Sequence, residues 1–319
     1  MLVFCFWKKK DYNVCIFMTW LHYALLAPFF WTLTNFIDKY SLHKFIRSSV
    51  DYLFFATITS WIFLFGIVIF FGLPTWSIWS LLGIGTGILL NYSYYFYINA
   101  LKYTDTSQLI IFFQGIPVVT VLLEFIFFRT QFGLVGLAAL LLVVVGGLVM
   151  SLENIDVKSN GLFKLNKSTG WIAVSVLMWS LVFLFAGKIM NYLDFWSYFF
   201  YENLGFAISG IILLLFKNSR NEIVSSLKEA KMEKYAWFAV NNFLDFLGQM
   251  SIKFALALSA TVGAVTIAIQ IQSVYGILIG LFFTLFFPLV LKEDLSRLSL
   301  LQKCFGAVFI FAGVYLLTM

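Results

Sequence analysis

Apolar residues run along this chain in blocks of about twenty, interrupted by short polar connections, and few blocks show the one-sided alternation of a helix with a wet face. The runs cover 14–36, 52–72, 77–99, 107–128, 132–151, 170–190, 195–216, 235–258, 260–287 and 298–319. A helix of roughly 20 apolar residues crosses a bilayer core about 30 Å thick. The pattern therefore predicts an all-α integral membrane protein with ten transmembrane helices, the ends near Thr104 and Ser259 being free to slide. Lys8 to Lys10 ahead of an apolar stretch has the look of a signal peptide with Ala27 at its cleavage site. A retained first helix is expected instead, because that helix has a counterpart later in the chain. Two polar stretches, 153–169 and 217–234, are the long connections; the second, with Glu222, Lys228, Glu229, Lys231, Glu233 and Lys234, reads as a surface helix or a solvated connector.

Matching residues recur at a fixed offset. Ala100-Leu101 returns as Ala255-Leu256, Thr106 as Thr261 and Thr104 as Ser259, while Trp31-Thr32-Leu33 with Lys39 is answered by Trp179-Ser180-Leu181 with Lys188. This divides the chain into a first five-helix repeat, 1–152, a connecting loop, 153–169, and a second five-helix repeat, 170–319. An odd number of spans per repeat inserts the second upside down relative to the first, an arrangement typical of secondary transporters with their site between the repeats.

Composition removes the soluble alternatives. With 62% hydrophobic and only 11% charged residues, the chain lacks the polar surface that a body of this size needs in water. The net charge of +6 lies mostly in short connections, where Lys and Arg act as topology signals and headgroup contacts, so a nucleic-acid partner is not expected. Cys5, Cys15 and Cys304 are too few and too scattered for a disulfide framework or a metal site, and no cofactor is expected.

Charged and amide side chains in hydrocarbon are costly, so those kept there mark candidate chemistry. Asn241, Asp245, Gln249 and Lys253 follow one another at intervals of four along the eighth run, and Asn91, Tyr95 and Asn99 form the corresponding seam of the third. These seams either line a central aqueous pocket or bond neighbouring helices together. Gln114 and Gln270 sit near mid-membrane in the related fourth and ninth runs. The expected solute-binding set is thus Asn91, Tyr95, Asn99, Gln114, Asp245, Gln249 and Gln270, with Asp245, Glu202, Glu124 and Lys253 as candidates for coupling or gating. Glu124, close to the exit of its helix, alternatively reaches the headgroups, and Glu202 equally suits a lateral gate or a helix-to-helix hydrogen bond. Lys39 and Lys188 snorkel to the interface, and His22 is more plausible as a packed residue than as a proton relay. Gly83 with Gly87, and Gly276 with Gly280, read as close-packing pairs rather than a phosphate loop. The glycines of the fifth and tenth runs pack internally or against a second copy, which leaves a homodimer open.

The stretch Leu26-Ala27-Pro28-Phe29-Phe30-Trp31-Thr32-Leu33-Thr34-Asn35-Phe36-Ile37-Asp38-Lys39-Tyr40 resembles the first helix of EamA-like members of the drug/metabolite transporter superfamily. So do Ala100-Leu101-Lys102-Tyr103-Thr104 leading to Gln114 and Pro117, and Leu291-Lys292-Glu293-Asp294-Leu295 followed by Gly306-Ala307 and Ala312-Gly313-Val314. Where the family usually has an acid after the fourth helix, this chain has Phe128-Arg129-Thr130-Gln131, and Gln272-Ser273 stands near the place matching Pro117. The resemblance implies a ten-helix fold whose first, third, fourth, sixth, eighth and ninth helices surround a central cavity, and transport of a small organic metabolite by alternating access, driven by an ion gradient or by exchange.

The expected partners are a small-molecule solute and the lipid bilayer, and the expected location is the plasma (inner) membrane of a prokaryote. No ATP-binding loop is present. An embedded enzyme acting on a lipid-linked substrate is the alternative, and a channel a third reading, but two histidines and no acid-histidine cluster on a loop give an enzyme little to work with. Orientation is contested: Lys8, Lys9, Lys10, Arg129, Lys188 and Lys253 fall on the side of the termini and the other fifteen basic residues opposite, placing the termini outside, whereas the family resemblance implies cytoplasmic termini. Tyr94, Tyr95, Asn99, Gln249 and Tyr275 suit an amino acid, an amphipathic metabolite or a drug-like cation, without choosing among them.

Overall fold

The computed structural model describes residues 20–102, 113–152, 167–259, 261–286 and 297–317. Among them there are helices and no strands: α1 Trp20–Lys44, α2 Ser49–Ile58, α3 Ser60–Phe71, α4 Ile78–Leu101, α5 Gly115–Phe128, α6 Leu134–Leu152, α7 Lys167–Ile189, α8 Phe195–Leu215, α9 Lys217–Glu229, α10 Met232–Leu258, α11 Val262–Ala268, α12 Gln272–Phe286 and α13 Arg297–Leu316. Each of the ten apolar runs is helix over most of its described length. Among the described residues three runs are broken, the second at Thr59 between α2 and α3, the fourth at Gln114 ahead of α5, and the ninth by a single 3-10 turn, Ile269–Ile271. The polar stretch after α8 forms the helix α9, as its pattern suggested.

Among the described residues four segments are long and apolar enough to cross a membrane: Ser49–Phe71, Gly170–Ile189, Phe195–Leu215 and Val262–Phe282. The long helices that miss this standard, α1, α4 and α10, carry the polar residues of the interior described below. Side chains such as Phe70, Leu73, Leu134 and Phe305 are more than half exposed, an apolar outer surface that only lipid solvates cheaply.

Glycine sets the closest crossing. A Cβ on Gly87 would lie 1.9 Å from the Glu202 carbonyl oxygen, and one on Gly205 would lie 2.0 Å from that of Ile84, so α4 and α8 touch backbone to backbone. The contacts Gly83–Tyr201, Gly87–Glu202 and Asn91–Ser209 advance together along both helices, which run parallel. The Gly83–Gly87 packing pair is thus present. Gly276 differs from expectation: nothing lies within 4 Å of its added Cβ, so it is no packing surface. Gly146 of α6 faces Gly306 and Phe309 of α13, and Gly313 faces Ala139 and Val143, so these two antiparallel helices spend their glycines on each other.

The most extensive pairings join distant parts of the chain: α1 with α10, α4 with α7 and α8, and α6 with α13. α1 runs antiparallel to α10, from Tyr23 beside Phe254 to Asp38 beside Asn241. It continues to Lys44, eight residues past its expected end at 36, bringing Asp38 into the bundle.

Candidate functional site

Two adjoining cavities occupy the middle of the bundle, of about 40 and 80 Å³. Each has room for several waters, at roughly 10–15 Å³ per water. Thr34, Asp38, Tyr94 and Asp245 border both. The smaller extends to Tyr52, Glu202, Asn241, Asn242 and Gln249; the larger has a wall of Trp31, Tyr97, Phe113, Trp179 and Phe183 and a polar end at Gln270 and Gln272.

The acids sit among neutral donors. Asp38 Oδ1 accepts from the Tyr52 hydroxyl at 2.9 Å and from Asn241 Nδ2 at 2.9 Å. Asp245 Oδ1 accepts from the Tyr94 hydroxyl at 3.0 Å, with the Gln249 amide and the Trp31 indole N–H approaching the same carboxyl more loosely. Tyr97 donates to Asn35 Oδ1 at 3.3 Å. Trp31 of α1 and Trp179 of α7, the residues that correspond in the internal repeat, meet edge to face at 6.0 Å.

Asp245, Gln249 and Glu202 border the smaller cavity, and Asp245 and Gln270 the larger. Lys253 stands just behind, fully buried, its Nζ 3.0 Å from Glu202 Oε1 and 3.3 Å from Gln249 Oε1. Lys253 is therefore not a loop charge and drops out of the topology count. Glu202 also accepts from Tyr198 at 2.7 Å, so it joins helices in an ion pair rather than standing as a free lateral gate.

The other candidates border neither cavity. Asn91 turns to α8, donating to Ser209 Oγ at 2.5 Å; Tyr95 lies against Trp171; and Asn99 holds Ser49 at 2.7 Å near the helix end. The face that α4 gives the cavities is Leu90, Tyr94 and Tyr97, one position away from the expected seam. Gln114 bonds Ser273 at 2.9 Å and packs on Gly147. Glu124 is buried and does not reach headgroups: its carboxyl accepts the backbone N–H groups of Val262 at 3.2 Å and Gly263 at 2.8 Å, capping α11 from another helix. His22 lies on the exposed side of α1, and Lys188 covers the Phe128 ring at 4.9 Å. Glu153, Thr104, Thr106, Cys5, Cys15, Lys8 to Lys10 and the stretch with Glu293 lie outside the described residues.

Asp38 is the residue that sequence reasoning missed, because the first helix was ended two positions before it. Its signal was the spacing Thr34-Asp38, one turn apart on the face that carries Trp31.

Toward the N-terminal end of α2 the bundle is closed in two layers. Tyr52, Phe55, Tyr235 and Phe238 pack together, Phe55 and Phe238 at 5.3 Å. Beyond them Lys234 pairs with Asp51 at 2.8 Å and with Ser226 at 2.8 Å, Ser48 donates to Glu222 at 2.7 Å, and the pairs Lys44–Glu233 and Arg47–Glu229 lie outermost. The hydrogen-bonded guanidinium of Arg47 holds the Glu229 carboxyl below its ordinary value.

Comparison with known proteins adds three findings. Residues 18–152 match the model of the EamA-like transporter family. No curated protein matches. Among solved structures 28 chains match; one, described as "Crystal structure of protein", has a TM-score of 0.64 at 14% identity and covers 94% of this chain and 98% of its own, a likeness of fold alone.

Proposed function

We propose that this chain, whose residues 18–152 match the model of the EamA-like transporter family, is an integral multi-pass membrane transporter of that kind and carries a small organic solute through the chamber around Asp38, Tyr94 and Asp245. The frame is ten spans in two inverted halves, 1–152 and 170–319, working by alternating access with an ion gradient or an exchanged solute as the driving force. The observation that carries the reading is the chamber itself: two cavities share four polar residues drawn from α1, α4 and α10, at the junction of the early and late helices.

The pairings support the frame. Exchanging the halves turns the α1–α10 contact into α7–α4, and leaves α6 with α13 paired to each other; all are major contacts. The Trp31–Trp179 meeting is what a two-fold axis through the chamber would place there. Helices α4 and α8, third and seventh of the apolar runs, are parallel, as spans of the same parity must be.

Reconstituted in liposomes, the protein should give saturable uptake and counterflow of any solute that raises its melting temperature in detergent. Asp245→Asn should abolish that flux in a protein that still folds. Unchanged flux would remove the chamber from the mechanism, and product formation without flux would favour an embedded enzyme.

A further inference from the structure

The chamber has a charge and a donor–acceptor balance that select among solutes. Its acidic residues are Asp38, Asp245 and Glu202, and among the described residues neither cavity is bordered by Lys or Arg. Lys253 is committed to Glu202 and Gln249, so that acid is already compensated. Asp38 and Asp245 make no ion pair among the described residues; every hydrogen bond they accept comes from a neutral group. The site also lacks a donor at a particular atom: Asn241 is 4% exposed, its Nδ2 is used on Asp38, and its Oδ1 is a buried acceptor with no partner among the described residues. A buried, unpaired acceptor is costly unless something arrives to donate to it.

We infer that the solute is a primary organic ammonium ion, its three N–H groups shared among Asp38, Asp245 and Asn241 Oδ1, and its apolar body laid along Trp31, Trp179 and Phe183. An ammonium group is a pure donor with three hydrogens, which fits three acceptors and no cation. Aromatic faces attract such a charge and accept an apolar tail. An anion would meet acidic groups in a space of low dielectric, and a neutral alcohol would bring no charge to offset even one carboxylate there. A bare metal ion would want six or more oxygen ligands, which a largely aromatic wall does not supply. This inference rests on the carrier reading for what the site is used for, and its test is arranged so that the two fail separately.

Trp31 and Trp179 border the larger cavity, so tryptophan fluorescence of the purified full chain reports occupancy. The probes are butylammonium, phenethylammonium and hexylammonium, with 2-phenylethanol as the neutral analogue, 3-phenylpropionate as the anion and sodium chloride as the ionic control. Phenethylammonium should bind saturably, at least about tenfold tighter than 2-phenylethanol, and Asp245→Asn should weaken it by about tenfold to a hundredfold, the range for losing a hydrogen bond to a charged group. The comparison of amine with alcohol in the unaltered protein decides the matter even if the variant fails to fold. Equal affinity for amine and alcohol, tighter binding of the anion, the same response to sodium, or no response to any of the three amines overturns the inference. Amine binding without flux in liposomes sinks the carrier reading and leaves this one standing. Saturable flux of a neutral or anionic solute, with the amines inert, does the reverse.

Discussion

Removing Lys253 alone should be among the most damaging single changes in the protein, and removing it together with its partner should be far milder. Its ammonium is wholly buried and stands 3.0 Å from Glu202, which is 2% exposed. Lys253→Met leaves the Glu202 carboxylate in the bundle with only the Tyr198 hydroxyl as a donor. Breaking a buried pair from one side costs about 3–5 kcal/mol, whereas replacing both members by groups of similar volume is often neutral. Glu202→Gln should cost somewhat less, because Gln249 and the face of Phe183, 5.6 Å away, remain beside the ammonium. At about 2–4 °C per kcal/mol in a larger domain, Lys253→Met should lower the apparent melting temperature in detergent by on the order of 10 °C. The assay is a thermal-unfolding cycle over the parent, both single variants and Lys253→Met with Glu202→Gln. Recovery of most of the loss in the double variant is expected. Additive losses, or a Lys253→Met protein as stable as the parent, would refute the view that the pair is a mutual neutralisation of two buried charges.

Other outcomes follow from the same geometry. Gly205→Ala should destabilise by about 1–3 kcal/mol, because its new methyl meets backbone rather than a side chain that can turn away, while Gly85→Ala, with nothing within 4 Å, should be silent in the same melt. Glu124→Ala should cost about 1–2 kcal/mol and speed hydrogen exchange at Val262 and Gly263, whose N–H groups lose their acceptor. The Arg47–Glu229 contact stabilises above the ordinary glutamate pKa and is lost as pH falls through the lowered value in the folded protein; it is exposed, so salt should screen it, and hydrogen exchange across α9 at falling pH and rising salt measures both effects. Ser226, beneath Lys234, is a poor labelling position, whereas Ser225→Cys on the exposed side of α9 should react with an impermeant maleimide. Labelling in intact cells would reject the orientation that the Lys and Arg count favours.

Helix positions were legible because a run of apolar residues long enough to cross a bilayer has few other fates, and every expected run is helix over most of its described length. The polar stripe of α10 was legible too: Asn241, Asp245 and Gln249 keep one face because a spacing of four nearly repeats the helical turn. The same rule misled on α4. Asn91, Tyr95 and Asn99 obey it equally well, yet α8 lies against that face through the Gly87–Gly205 contact, and the chamber takes its neighbour Tyr94 instead. Periodicity gives a face but not what the face meets. Glu124 shows a different limit, since its place near a helix exit is visible in sequence, while the free N–H groups of α11 that it caps come from residues 138 and 139 positions further on.

The Tyr94 hydroxyl is tied to the carboxyl that an arriving ammonium would need, and it is one of the few hydrogen bonds fastening α4 to α10. Guest and fastener thus share a single carboxyl. A molecule that drew it away from Tyr94 would loosen the joint between two helix pairs in the act of docking.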